Sequence, residues 1–188
     1  MTTTFAIPDL HGRFDLLCAA ERAIADRVGH DRATVVMLGD YVNKGPQSAD
    51  VLAHLIGGLS PRWQLICLKG NHDAIMLDAL HDPANMPRWL ENGGAATLRS
   101  YGEFNAAAPD AAVVPVAHRQ WLEGLQLIHV DVLRVFVHAG VDPSLPLDRQ
   151  SEATLLWKRY AEDDPLGPGD RHVVHGHHPF RDVACRFA

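Results

Sequence analysis

The sequence predicts an α/β fold whose reactive crevice lies at the carboxyl ends of its strands. Two observations lead there. Short apolar runs, several rich in β-branched residues, alternate with longer stretches of helical period. Five of those runs stop at a residue type able to bind a metal ion, at the end where open α/β sheets keep their working groups. The run Val35-Val36-Met37-Leu38 is the clearest. Its unbroken apolar character is that of a strand buried on both faces. Gly39 ends it, Asp40 stands at its tip, and Gly45-Pro46 turns the chain toward a helix.

A chain of 188 residues suffices for one well-buried domain and is short for two, so residues 1–188 read as a single domain. Hydrophobic residues make up 47% and charged residues 21%, the balance of a soluble globular protein. Net charge is −6, with acids and bases interspersed. There is no Lys/Arg run, which argues against a nucleic acid or an anionic membrane as partner. The start, Met1-Thr2-Thr3-Thr4-Phe5, lacks the basic and apolar regions of a signal peptide. No apolar run approaches the ~20 residues that span a bilayer. Cys18, Cys67 and Cys185 are far apart and form no Cys-x-x-Cys pair. They read as buried free thiols in a reducing compartment, the cytoplasm. Twelve histidines exceed the needs of a plain core, so the places where they cluster matter.

Thr4-Phe5-Ala6-Ile7 reads as the first strand, stopped by Pro8 and followed by Asp9-Leu10-His11-Gly12. Side chains two apart on extended backbone share a face, so Asp9 and His11 can bind one ion. An imidazole with a carboxylate suits zinc, iron or manganese better than calcium. A helix follows over 13–28, with Phe14, Leu17, Cys18, Ile24 and Val28 as its apolar stripe. After the strand ending at Asp40, a second helix runs over 47–56 and breaks at Gly57-Gly58. Trp63 to Leu68 form a third strand, followed by Lys69-Gly70-Asn71-His72-Asp73 and a helix over 74–80. Asn71 can offer a carbonyl oxygen to a cation, and His72 points elsewhere, free for acid–base work. Asp73 suits a first helical turn, where its charge meets the positive dipole end.

Residues 81–110 are the least regular and read as a capping segment over one end of the sheet. A helix over 116–126 turns Trp121, Leu122 and Leu125 inward. Leu127 to Val130 and Leu133 to Val137 form a hairpin whose second strand ends in His138-Ala139-Gly140. A helix over 151–160 carries Glu152 near its start and Lys158-Arg159 near its end, as the dipole prefers. A polar loop over 162–170 follows. Val173-Val174 is a last short strand, ending in His175-Gly176-His177-His178-Pro179. Three imidazoles in four residues after a β run point to a metal role for at least one of them.

Collected, the strand ends carry two carboxylates, one amide and several imidazoles, too many ligands for one ion with an open site. Two divalent cations sharing a carboxylate, roughly 3.5–4 Å apart, fit that count. With these residues in place the chain resembles the calcineurin-like metallophosphoesterases, and among them the bacterial and phage type of Ser/Thr protein phosphatase. The family's Gly-Asp-x-His-Gly block is matched by Pro8 to Gly12, and Gly-Asp-Tyr-Val-Asp-Arg-Gly-Pro by Gly39 to Pro46. Gly-Asn-His-Glu is matched by Gly70 to Asp73, His-Ala-Gly by His138 to Gly140, and Gly-His-Thr-Pro by Gly176 to Pro179.

The resemblance implies a four-layer α+β arrangement, a central mixed β-sheet sandwich flanked by helices. It implies that Asp9, His11 and Asp40 hold one metal and that Asp40, Asn71, His138 and His177 hold a second, with Asp40 bridging. Manganese is the expected pair, with iron and zinc as alternatives. His72 would be the general acid, supported by Asn43. Lys44, Arg159 and Asn71 would bind phosphate. His175 sits just outside the matched position, beside the ligands, and no role follows for His178. A metal-activated hydroxide would then attack phosphorus in line, with no covalent intermediate.

Three departures from the family pattern bear on function. Asn43 replaces an Asp that pairs with the catalytic His. It is expected to accept a hydrogen bond from His72 without charge, shifting activity to lower pH than in Asp-bearing relatives. Lys44 replaces a bidentate Arg with a point charge. The chain ends soon after Pro179, where the family adds a strand pair, leaving an open sheet edge or marking a shortened chain. The main expectation is a phosphatase for phosphoserine or phosphothreonine, in a phosphorylated protein or a small phosphoester. The alternatives are a symmetrical dinucleoside polyphosphate hydrolase and a metal-binding pseudophosphatase.

Overall fold

The computed structural model of the chain describes residues 2–102, 105, 108–160 and 171–178. The loop expected over 162–170, four residues of the expected capping segment (103, 104, 106 and 107), Pro179, Cys185 and the end of the chain lie outside the described residues. β1 (Thr3–Ile7), β2 (Ala33–Met37) and β3 (Trp63–Cys67) form a parallel sheet in that order. Ala6 pairs with Val36 and Val36 with Ile66. The crossovers are α1 (Phe14–Val28) and α2 (Ser48–Gly57). A second sheet joins β4 (Ile128–Val130), β5 (Arg134–Val137) and β6 (His172–Val174). Its β4–β5 pair is the expected antiparallel hairpin, and β6 runs parallel to β5.

The alternation of side chains along β2 explains the layers. Val35 and Met37 face Leu17 and Ile24 of α1 and Val51, Leu52 and Leu55 of α2 in one core cluster. Val36 and Leu38 point the other way, into a cluster with Ile66, Leu68 and Phe136 of β5, against which Val174 of β6 packs. A strand sandwiched in this way must be apolar on both faces, which is why 35–38 shows no polar alternation. Behind the second sheet, Val135 and Val137 pack with Val141 and Leu155. Leu155 belongs to α7 (Glu152–Trp157), the last helix among the described residues. Helices, sheet, sheet and helix therefore stack as the four layers expected, and the sandwich core is the Phe136 cluster.

Several boundaries differ from expectation, each for a local reason. α3 spans Asn71–His81, so Asn71, His72 and Asp73 form its first turn and do not precede it as a loop. Gly70 is the N-cap, and Asp73 accepts its amide at 2.9 Å, which closes the turn three residues early. Residues 83–100 are helical throughout, not irregular. A 3₁₀ turn (Pro83–Asn85) leads to α4 (Met86–Trp89), a π turn (Leu90–Gly94) and α5 (Ala95–Ser100). The Gly93-Gly94 pair hid this from a propensity reading, and Gly93 indeed breaks helical geometry at φ 92°. α6 spans Val116–Glu123 and buries Leu122. α7 stops at Trp157, so Lys158 and Arg159 lie beyond the helix and do not serve its C-terminal turn. Cys18 and Cys67 are free thiols, as expected, but half-buried and not fully enclosed. No helix among the described residues is long and apolar enough to cross a membrane.

Phe136 is 2% exposed and lies between the two sheets. Truncating it leaves a cavity that neither sheet can close. The expected cost of Phe136→Ala is about 3–5 kcal/mol, read as a fall in the urea midpoint at unchanged slope.

Candidate metal centre

Asp40 stands at the tip of β2, 1% exposed, with a left-handed backbone at φ 54°. Its Oδ1 accepts the amide of His72 at 2.8 Å. The Asp73 carboxylate, also fully buried, accepts the amides of Asp40 at 2.8 Å, Tyr41 at 3.0 Å and Gly70 at 2.9 Å. Asp73 thus ties the loop after β2 to the first turn of α3. The two backbones touch: a Cβ on Gly70 would lie 2.2 Å from both the amide nitrogen and Oδ1 of Asp40. Glycine is required there because the carboxylate occupies the space a side chain would take.

The residues expected as ligands gather around Asp40. His11 Nε2 lies 3.6 Å from Asp40 Oδ2 and 4.0 Å from Asp9 Oδ2. His138 Nε2 lies 3.6 Å from Asp40 Oδ1 and 2.8 Å from Asn71 Oδ1. His177 Nδ1 lies 3.1 Å from the same Asn71 oxygen, and its amide donates to Asp9 Oδ1 at 3.1 Å. Two sets of potential ligand atoms result: His11, Asp40 and His72, and Asp9, Asp40 and His138, each within 4.8 Å of one another. They share Asp40. β1, β2, α3, β5 and β6 each deliver at least one group.

The imidazole tautomers fit a cation. His11 Nδ1 is 3.1 Å from the Val42 carbonyl and His138 Nδ1 is 2.8 Å from the Leu38 carbonyl. A carbonyl only accepts, so each Nδ1 carries the proton and each Nε2 turns a lone pair toward Asp40. His177 Nε2 is buried and has no hydrogen-bond partner among the described residues. Lone pairs that converge in this way, with only the exposed Lys44 ammonium donating to one of them, are what a cation satisfies. The charge balance agrees. Burial, reinforced by Asp9, pushes the Asp40 carboxyl up to about 8. Burial lowers His11 and His138, and lowers His177 to about 4. The donors are nitrogen and oxygen only, the set that suits manganese, iron or zinc.

The other expected residues occupy the rim. Lys44 is exposed, with its Nζ 2.9 Å from His11 Nε2. Arg159 is exposed and near enough to His177 for its charge to disfavour protonation there. His72 stacks edge-on against His11 at 4.7 Å between ring centres. Burial, then the positive charge of Lys44, lowers it to about 3. His175 packs on the Tyr160 ring at 5.1 Å, beside the site, and His178 is half-buried.

Asn43 differs from expectation. Its oxygen accepts from the indole of Trp89 at 2.8 Å and from the hydroxyl of Thr97 at 3.2 Å. Its amide nitrogen, 3.0 Å from His72 Nδ1, therefore donates to the ring and does not accept from it. Trp89 and Thr97 escaped the sequence reading because they stand in the cap segment, 46 and 54 residues from Asn43. Gly94 beside them is the one available signal: a Cβ there would lie 2.7 Å from the Trp89 ring.

Comparison with known proteins places this geometry in a family. A family model described as calcineurin-like phosphoesterase matches residues 2–187. A protein of Pseudomonas fluorescens (strain Pf0-1) named symmetrical bis(5'-nucleosyl)-tetraphosphatase is 32% identical over 178 residues, 94% of this chain and 54% of its own. A protein of the same name from Pseudomonas entomophila (strain L48) is 34% identical over 164 residues, 86% of this chain and 50% of its own. The chain spans about half the length of these curated relatives. A crystal structure titled as a diadenosine tetraphosphatase by proposal is 24% identical, with a TM-score of 0.62 over 94% of this chain and 80% of that one. A mutant cold-active protein tyrosine phosphatase is 20% identical, with a TM-score of 0.54 over 79% and 49%. Both structures share the fold.

Ligation needs the Asp40 carboxylate, whereas without a cation that group holds its proton up to about 8. Metal uptake at pH 7 is therefore expected to release about one proton, and metal affinity to fall as pH drops below 8. Calorimetric titration of manganese in buffers of different ionisation heat reads this directly; equal heats in all buffers would contradict it.

Proposed function

The chain belongs to the calcineurin-like phosphoesterase family, and on that premise we propose that it is a metal-dependent hydrolase of phosphoanhydrides, cleaving dinucleoside polyphosphates symmetrically. The observation that carries the metal chemistry is the gathering of donor atoms around Asp40: His11 and His138 Nε2 each lie 3.6 Å from its carboxylate, and Asp9, Asn71 and His177 lie against those rings. The names of the curated relatives support the substrate class. They favour it over the phosphoserine or phosphothreonine substrate that the sequence suggested.

In this reading residues 1–188 act as one domain, capped by residues 81–110. Asp9, His11 and Asp40 would hold one divalent cation; Asp40, Asn71, His138 and His177 would hold the other. Manganese is the preferred metal. Two cations at such a site supply charge neutralisation and an acidified water. The protein's own groups do the rest. Leu38 and Val42 orient the imidazoles through their carbonyls. Lys44, whose ammonium lies against His11 at the rim, would pair with phosphate oxygens. Arg159, beyond the end of α7, offers a planar fork to a second phosphate. Asn71, held between two imidazoles, also faces the phosphate. His72 donates toward the departing oxygen. A cytoplasmic location fits a nucleotide substrate and the free thiols of Cys18 and Cys67.

With manganese added, diadenosine tetraphosphate should yield ADP as its sole nucleotide product. A phosphoserine peptide should turn over at least about 100-fold more slowly, since general acid catalysis, which alkoxide departure needs, is worth about 10²–10⁴. Faster peptide turnover, or ATP with AMP as products, would overturn the assignment. Lys44→Ala should raise KM roughly tenfold with a smaller change in kcat, the loss of one partly solvated charge-assisted contact. Chromatographic product analysis and steady-state kinetics check both.

A further inference from the structure

The first sheet has a second functional end, opposite the metal centre, where its strands begin. Ala33 and Trp63 pair as the first residues of β2 and β3, so Arg32 and Arg62 stand side by side just before them. One row further along, Thr34 pairs with Gln64. Side chains alternate along a strand, so Thr34 shares its face with Val36, and Gln64 with Ile66. Val36 and Ile66 are covered by Phe136 of the second sheet. The row before them lines an open recess of about 400 Å³, together with Thr2, Arg32, Arg62 and Trp63. Sites for small molecules occupy roughly 300–1,000 Å³.

The chemistry of the recess is one-sided. The chain has a net charge of −6, yet no carboxylate lines the recess and two guanidiniums do. Neither guanidinium is paired with a carboxylate among the described residues, and the Thr34 hydroxyl and the Gln64 amide make no hydrogen bond among them. The indole Nε1 of Trp63 is buried and also has no partner among those residues. Arginine and tryptophan only donate. Donors gathered without acceptors are satisfied by an anion, and a guanidinium fork matches phosphate oxygens two at a time. Neighbouring strands lie about 4.8 Å apart, so two forks at adjacent strand starts reach neighbouring groups of one small polyanion.

We infer that this recess is a second ligand site, in which Arg32 and Arg62 hold a diphosphate, inorganic or carried by a nucleoside, and Thr34 and Gln64 complete its hydrogen bonds. It is separate from the metal centre. Thr34 and Asp40 are six residues apart on extended chain, about 20 Å at ~3.3 Å per residue, so one diphosphate cannot touch both. The inference stands apart from the hydrolase reading, since it needs only the starts of two strands.

The full chain, labelled with ¹⁵N and with magnesium present in place of paramagnetic manganese, is titrated with methylenediphosphonate, a diphosphate analogue whose bridge water does not cleave. The amide signals of Thr34 and Gln64 and the indole signal of Trp63 should move and saturate. Orthophosphate should bind at least about tenfold more weakly, since it engages one fork. Arg32→Gln and Arg62→Gln should each weaken methylenediphosphonate at least about tenfold, the loss of one charge-assisted contact. Both side chains are exposed, so both variants should keep the native melting temperature; should one not fold, the other carries the test. ADP separates the two sources of the diphosphate: tighter binding than methylenediphosphonate assigns a nucleoside diphosphate, and weaker binding the inorganic ion. Signals that drift without saturating, shifts confined to the surroundings of Asp40, or an affinity unchanged in both variants would each overturn the inference.

Discussion

A buried carboxylate whose charge is offset only by the exposed Lys44 ammonium and one backbone amide organises this protein. Asp40 is 1% exposed, faces Asp9, and has burial and that neighbour both opposing its charge. An isolated carboxylate in such a place is costly by several kcal/mol and keeps its proton unless a cation arrives. The surrounding imidazoles do not supply the charge, since burial holds them neutral and their lone pairs point inward. The site is complementary to a positive charge density that side chains alone cannot provide.

Holding it in that state strains the backbone. Among the described residues five that are not glycine have positive φ: His11, Asp40, Asn43, Lys44 and His177. All belong to the site. Left-handed conformations of this kind cost on the order of 1–3 kcal/mol each and persist where packing over-determines them. The packing here is visible. Asp73 ties three amides, Gly70 admits the Asp40 carboxylate, and Gly176 lies where a Cβ would come within touching distance of Asp9 Oδ1. The sandwich core around Phe136 carries the load, because it locks the β2 and β5 tips that bear Asp40 and His138. The cap adds a second constraint: Lys44 donates its amide to the Gly93 carbonyl at 3.2 Å, and Ala49 to the Ser100 hydroxyl at 3.0 Å.

The loop 41–45 is where the reading of substrate class turns. In a chain that matches a calcineurin-like phosphoesterase model over 2–187, the metal ligands follow the family pattern and Asn43 and Lys44 depart from it. Beside His72 stand the neutral amide of Asn43 and the buried indole of Trp89. The relatives named for a tetraphosphate span about twice this length.

That these residues gather around Asp40 could be read from the chain because strand ends are local. An apolar run that stops at Gly-Asp or at His-Ala-Gly puts its polar residue at a tip, and tips of one sheet converge. The elements β1 to β6 and α1 to α3 followed from hydrophobic period alone, within a few residues. The helical cap did not, because two glycines sit where the helix kinks, and propensity sees the glycines and not the ring that packs against them. Nor could the polarity of the Asn43–His72 contact be read. An asparagine offers a donor and an acceptor from the same side chain, and which one meets the imidazole depends on a tryptophan 46 residues away that can only donate. Residue types and spacing selected the metal chemistry; the direction of each hydrogen bond waited for the chain to bring Trp89, Asn43 and His72 into contact, since direction belongs to the pairing and to no residue by itself.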